Sequence, residues 1–137
     1  MVRAGFMAVV IGVYAVAADT AFAASPIDIQ RSLETEARQA KSGFGGFSAQ
    51  RGEQLFNARH GDWSCATCHT ADPRQPGRHA TTAKPIAPLA PAANADRFTN
   101  PAKVDKWFRR NCNDVLGRAS AAVEKGDILT WLLSLAR

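Results

Sequence analysis

Apolar positions recur along this chain with the period of helices, and no stretch shows the alternation of a strand. Ile29, Leu33, Ala37 and Ala40 fall at i, i+4, i+8 and i+11, which predicts an amphipathic helix over about residues 27–41. The segment Ser42 to Phe47 holds three glycines and breaks it. Ser48 is a candidate N-cap for a second helix over about 49–59, with Leu55 and Phe56 on its apolar side. A third helix opens with Asn100 as N-cap and Pro101 at its first position. It carries Val104, Trp107, Phe108 and Asn111 at i, i+3, i+4 and i+7, and stops at Gly117. The fourth spans about 122–136, where Ile128, Trp131, Leu132 and Leu135 repeat the same spacing. Between the second and third helices, residues 70–98 hold five prolines (Pro73, Pro76, Pro85, Pro88 and Pro91) and little periodicity. A loop that long in a small domain usually wraps something or acts on something. The expected fold class is all-α.

The first 23 residues have a different character. Arg3 precedes an uncharged run from Ala4 to Ala18, and Asp19 and Thr20 end it before Ala21-Phe22-Ala23. A positive start, a short apolar run and a small-x-small site read as a cleaved secretory signal peptide, hence a periplasmic protein. A retained anchor would need ~20 apolar residues. The expected organisation is therefore 1–23 signal peptide, 24–47 N-terminal helix and Gly-rich linker, and 48–137 main domain. Export changes the meaning of the charge. With 17 Lys and Arg against 12 Asp and Glu, net +5, an exported chain is expected to meet an acidic protein partner rather than nucleic acid. Three cysteines are too few for a disulfide scaffold and leave an odd one.

Cys65-Ala66-Thr67-Cys68-His69 is a C-x-x-C-H sequence, the attachment signature of c-type haem. Two cysteines three residues apart on one turn can each add to a haem vinyl group. The adjacent histidine then turns over the porphyrin face and coordinates iron as the proximal ligand. A structural zinc site needs four convergent N or S ligands, which Cys68 and His69, being adjacent, cannot easily supply. A thioredoxin-like pair would sit in a βαβ setting, and no strands precede this one. The expected cofactor is one covalently bound haem c, with about four helices and the proline-rich loop arranged around it.

The other face of the iron is less determined. Met is a common sixth ligand in cytochromes c, but both methionines of the chain, Met1 and Met7, lie in the leader. That leaves His60, His79, a lysine, Cys112, a weak amide ligand, or an open position. Asn111 falls on the apolar stripe of the third helix, where an amide must find a partner or incur ~1–3 kcal/mol. Iron, or a molecule bound to it, would be such a partner; backbone carbonyls at the helix end are the alternative.

The C-x-x-C-H sequence is joined by Ile86-Ala87-Pro88-Leu89-Ala90-Pro91 and Arg97-Phe98-Thr99. Lys106-Trp107-Phe108-x-Arg110-Asn111-Cys112-Asn113-x-Val115-x-Gly117-Arg118 and Glu124-Lys125-x-Asp127-x-Leu129-x-Trp131-Leu132 follow. Together, over about residues 48–135, these resemble the SHP-type cytochromes c, which are similar in fold to class I cytochromes c but high-spin. The resemblance implies Asn111 as a distal ligand that moves off on reduction, so that O2 or NO can bind. It implies a dihaem cytochrome c and a membrane cytochrome b as electron donors. Pro88 resembles the proline of class I cytochromes whose carbonyl accepts the second ring N–H of the proximal histidine, here His69, with Pro85 and Pro91 as alternatives. Arg110, Arg118 and Lys106 could neutralise propionates or form a docking surface. The chain also departs from the family. Ser120 stands where the family has the cysteine that pairs with the one at Cys112, and Ala121 where it has an N-cap threonine. Cys112 is then expected to be a buried free thiol, with iron ligation or cross-linking as alternatives, and distal access to be looser. One-electron transfer with reversible binding of a diatomic gas is the function implied. The alternatives are a haem enzyme acting on NO and O2 or on peroxide, and a plain low-spin carrier closed by His79 or a lysine.

Overall fold

Four of the five helices among the described residues start where an N-cap side chain accepts a free helix N–H, the exception being the last, whose N-cap is Ala121. Ser25 Oγ accepts from Asp28 N while the Asp28 carboxylate accepts from Ser25 N, a reciprocal cap that, with a proline in the first turn, opens α1 (Pro26–Ala40). Ser48 Oγ accepts from Arg51 N and opens α2 (Ala49–Asn57). After the short α3 (Cys65–His69) and two paired two-residue strands, β1 (Gly77–Arg78) and β2 (Pro85–Ile86), Asn100 caps α4 (Pro101–Leu116). Gly117 ends α4 in the left-handed region at φ 68°, and α5 (Ala122–Ser134) follows. The structure is a computed structural model describing residues 24–135; the expected signal peptide, 1–23, lies outside them.

The all-α expectation is met with two amendments. The C-x-x-C-H segment is itself a helical turn, which makes five helices among the described residues rather than four. The proline-rich loop carries the small antiparallel hairpin of β1 and β2, pairing Gly77 with Ile86 and Arg78 with Pro85. Two-residue strands are too short to show alternation in a sequence.

α5 lies between α2 and α1 and is buried on nearly every side. Phe56 of α2 packs with Ile128, Trp131 and Leu132, the Phe56 and Trp131 rings 4.9 Å apart. Ile29 and Leu33 of α1 pack with Leu129. Each such burial contributes about 2 kcal/mol. The α2–α5 crossing is tight because Gly52 has no side chain: a Cβ there would overlap the Asp127 carbonyl. The same residue ties the crossing together. Its buried carboxylate accepts from Ser48 N at 2.7 Å, Arg51 Nε at 2.7 Å and Arg51 Nη2 at 2.9 Å.

α4 is attached through Val104, Phe108 and Cys112. Phe108 and Val104 pack against the two cores, and buried Ser120 donates to buried Cys112 Sγ at 2.6 Å. Along this helix Val104 and Phe108 are half-buried and Cys112 is buried, whereas Trp107, 48% exposed, and Asn111 are not covered by the polypeptide. Phe108 and Cys112, one turn apart, define the covered edge, while Trp107 and Asn111 lie on its flank.

Candidate functional site

Ser64 and Thr67 shape the attachment turn. Ser64 Oγ accepts from Thr67 N at 3.2 Å and Thr67 Oγ1 accepts from Ser64 N at 2.9 Å, so five residues hold a helical turn that is too short to persist alone. That turn puts Cys65 and Cys68 on one face with His69 at its end. Thr70, at φ 63°, then carries the chain away. Gly77 of β1 sits against the Cys68 carbonyl, where a Cβ would overlap it, and Ala80 N donates to Cys68 Sγ at 3.3 Å.

His69 lies half-buried beside Phe56, ring centroids 6.3 Å apart. Burial, and then the nearby Arg97 charge, push its pKa down to about 4, so the imidazole is neutral, the form that ligates metals. Burial among the apolar side chains beside Phe56, with the Cys112 thiol adding, pushes the Cys65 thiol up to about 11. The Cys112 thiol is raised by its own burial, against a lowering hydrogen bond from Ser120.

Pro88 is tied into the loop through its carbonyl. Its carbonyl accepts from Arg97 Nε at 2.8 Å and Asn94 Nδ2 at 3.3 Å. Arg97 Nη2 donates to the Ala87 carbonyl at 2.6 Å, and Leu89 N and Ala90 N donate to the Pro73 carbonyl at 2.8 and 3.0 Å. His60 N donates to Trp63 O at 2.7 Å, which ties His60 into a tight loop. His79 Nδ1 accepts from Thr81 N and Thr82 N at 3.2 Å each, which closes the hairpin end. Lys106 and Arg110 each lie 5.8 Å from the Trp107 ring, and Arg118 forks onto Glu124 at 2.6 and 2.8 Å.

This donor set fits covalent haem c. Two thiols share one face of a turn, a neutral imidazole follows, and Leu89, Phe98 and Phe108 pack partly buried around the same core. Cys65, Cys68 and His69 are the residues that would hold it. The chain is 48% identical over 89 residues, 61% of its length and 68% of the relative, to the cytochrome c-type protein SHP of Cereibacter sphaeroides.

The chain belongs to the SHP-type cytochromes c.

As a member of that family it is a c-type cytochrome with a cytochrome c-like fold and a covalent haem c. A structure of oxidized SHP, an oxygen binding cytochrome c, matches with a TM-score of 0.73 at 40% identity over 82% of this chain and 99% of that one. Oxidized cytochrome c'' from Methylophilus methylotrophus matches with a TM-score of 0.74 at 31% identity over 82% of this chain and 95% of that one. The curated sequence of that cytochrome c'' is 42% identical over 71 residues, 52% of this chain and about half (49%) of its own length. Residues 42–132 also match a family described as a domain of unknown function, DUF1924.

Two contributors escaped the sequence. Arg97 stands in the SHP-like block with no role attached to it, yet here it holds the Ala87 and Pro88 carbonyls of the proline-rich loop. Ser64-x-x-Thr67, which shapes the attachment turn, has the spacing of a cap but lies across the cysteine motif, where the C-x-x-C-H signature dominates the pattern.

Proposed function

We propose that this SHP-type cytochrome is an exported haem protein that takes part in one-electron transfer and reversibly binds O2 or NO at a distal position closed by Asn111. The observation that supports it is where Asn111 stands: on α4, next to Cys112 and one turn after Phe108, which packs against the same core as Cys65. The chain carries no methionine after Met7 to compete for that position. The solved SHP relative is described as an oxygen binding cytochrome c, which agrees with an exchangeable distal side.

In this reading Cys65 and Cys68 would hold the haem through thioethers from one turn, and His69, with the Phe56 ring 6.3 Å away, would supply the proximal nitrogen. Asn111 would offer the distal side a neutral amide, a weak ligand that carries no titratable proton and whose N–H would serve as a hydrogen-bond donor there. The haem, when bound, supplies the one-electron iron couple and the gas-binding coordination position. Electron donors of the dihaem cytochrome c and membrane cytochrome b kind, and a periplasmic location after removal of residues 1–23, complete the proposal.

Optical spectra of ferric and ferrous protein, with and without NO or CO, test it on wild type, Asn111→Ala and His79→Ala. The expected result is gas binding by the ferrous protein, a ferric spectrum altered by Asn111→Ala and one untouched by His79→Ala. A low-spin iron in both oxidation states that ignores added NO, or an Asn111→Ala spectrum identical to wild type, refutes the reading.

A further inference from the structure

Along α4 the neighbours of Asn111 are Trp107 and Phe108 one turn before it and Asp114 and Val115 one turn after it. Side chains of a helix lean back toward its N-terminus, so the Asn111 amide is tilted over the turn that carries the two rings rather than over Val115. Residues four apart on a helix have Cβ atoms about 5–6 Å from each other, within the span of an indole. The two rings are held differently. Phe108 is half-buried against the core of Phe56, Ile128, Trp131 and Leu132, its ring 6.4 Å from that of Phe98. Trp107, 48% exposed, is braced by charge instead: Lys106 Nζ and the Arg110 guanidinium carbon each lie 5.8 Å from its ring centroid.

We infer that Trp107 is a specificity-determining residue of the distal side: its indole walls the space beside Asn111, which leaves room for a diatomic ligand and turns bulkier ones away. This rests on Asn111 being the distal group, as proposed above. A diatomic needs less room than the carboxamide it displaces, so it can take that place without moving either ring. A longer ligand must press into the turn behind Asn111, where Phe108 is held by the core and the indole is the largest side chain on the flank. The two cations over the indole oppose its swing. A wall of this kind sorts ligands by size rather than by polarity, and a misfit of one methylene is worth roughly 10- to 200-fold.

The test titrates ferrous holoprotein with CO and with n-butyl isocyanide, read by optical spectra, on wild type, Trp107→Phe and Trp107→Ala. Ultraviolet resonance Raman adds a readout of the indole itself. Trp107→Ala is expected to gain about tenfold or more in isocyanide affinity relative to CO. Trp107→Phe should fall between it and wild type, and keeps the result readable if the alanine variant does not fold. In wild type the tryptophan bands should shift when isocyanide is forced in, and that shift should be absent from Trp107→Phe. An isocyanide-to-CO affinity ratio equal to that of wild type in a folded Trp107 variant overturns the inference, as do indole bands that ignore the bound ligand. A ferrous wild type that does not bind CO, or an Asn111→Ala spectrum identical to wild type, removes the distal reading itself, and this inference with it. CO binding and an altered Asn111→Ala spectrum beside silent Trp107 variants remove this inference alone.

Discussion

Ser120→Cys should rebuild the cross-link that the SHP-type resemblance places between α4 and α5. The geometry is close already. Ser120 Oγ lies 2.6 Å from Cys112 Sγ, both residues buried and eight apart in sequence. A disulfide needs ~2.05 Å between sulfurs, and the longer C–S bond of a new cysteine covers most of the difference. Closing so short a loop removes chain entropy worth about 2.5 kcal/mol from the unfolded state. For a domain of this size that corresponds to a rise in Tm of about 10 °C. The assay is thermal unfolding of oxidised holoprotein by circular dichroism, with and without reductant, alongside a count of free thiols in denaturant. The expected outcome is loss of both thiols and a Tm advantage that vanishes on reduction. If both thiols remain free after mild oxidation, the Cys112–Ser120 geometry is wrong. If the bond forms and Tm rises by less than about 3 °C, the loop-closure reasoning is wrong.

Two further substitutions probe the frame that carries the site. Asp127→Asn keeps shape but loses a buried charge that accepts three bonds from Ser48 N and Arg51. Because Arg51 is 53% exposed, screening limits the loss to about 2 kcal/mol, measurable as a lower denaturant midpoint with unchanged haem spectra. Glu124 is held below its ordinary pKa, chiefly by the Arg118 hydrogen bond and also by the Ala121 N–H. A lowered carboxylate pKa stabilises above the unfolded value and loses that contribution as pH falls through the folded one. Glu124→Gln should therefore cost about 1 kcal/mol at neutral pH and converge with wild type on acidification. A gap that stays constant down the acid limb would contradict the assignment.

The helices were legible because their ends are local. Ser48 and Asn100 cap within three residues, and Gly117 stops α4 at φ 68°. The orientation of α4 was not legible in the same way. Periodicity groups Val104, Trp107, Phe108 and Asn111 on one stripe, but which edge of that stripe is covered depends on the position of α5 and Ser120. The outcome buries Cys112 and leaves Trp107 and Asn111 on the flank. The attachment chemistry needed only five consecutive residues and was readable outright. The roles of Asp127 and Arg97 were not. Asp127 meets partners 76 and 79 positions away, and Arg97 reaches carbonyls nine and ten residues back across a loop with no repeating pattern. A lone acid inside the apolar run of α5 was the one visible hint of the former.

The wall behind His69 is Phe56 from α2, backed by Trp131 and Leu132 of α5, and α5 comes last among the described elements. A chain emerging from its N-terminal end exposes the Cys65–His69 segment well before the helix that buries Cys65 exists. The attachment motif, with the Ser64 and Thr67 caps that shape its turn, lies wholly within six consecutive residues, whereas the wall over it is built from helices far apart in the chain. Docking of α5 therefore acts as a latch, closing over a segment whose own sequence already carries the attachment signature.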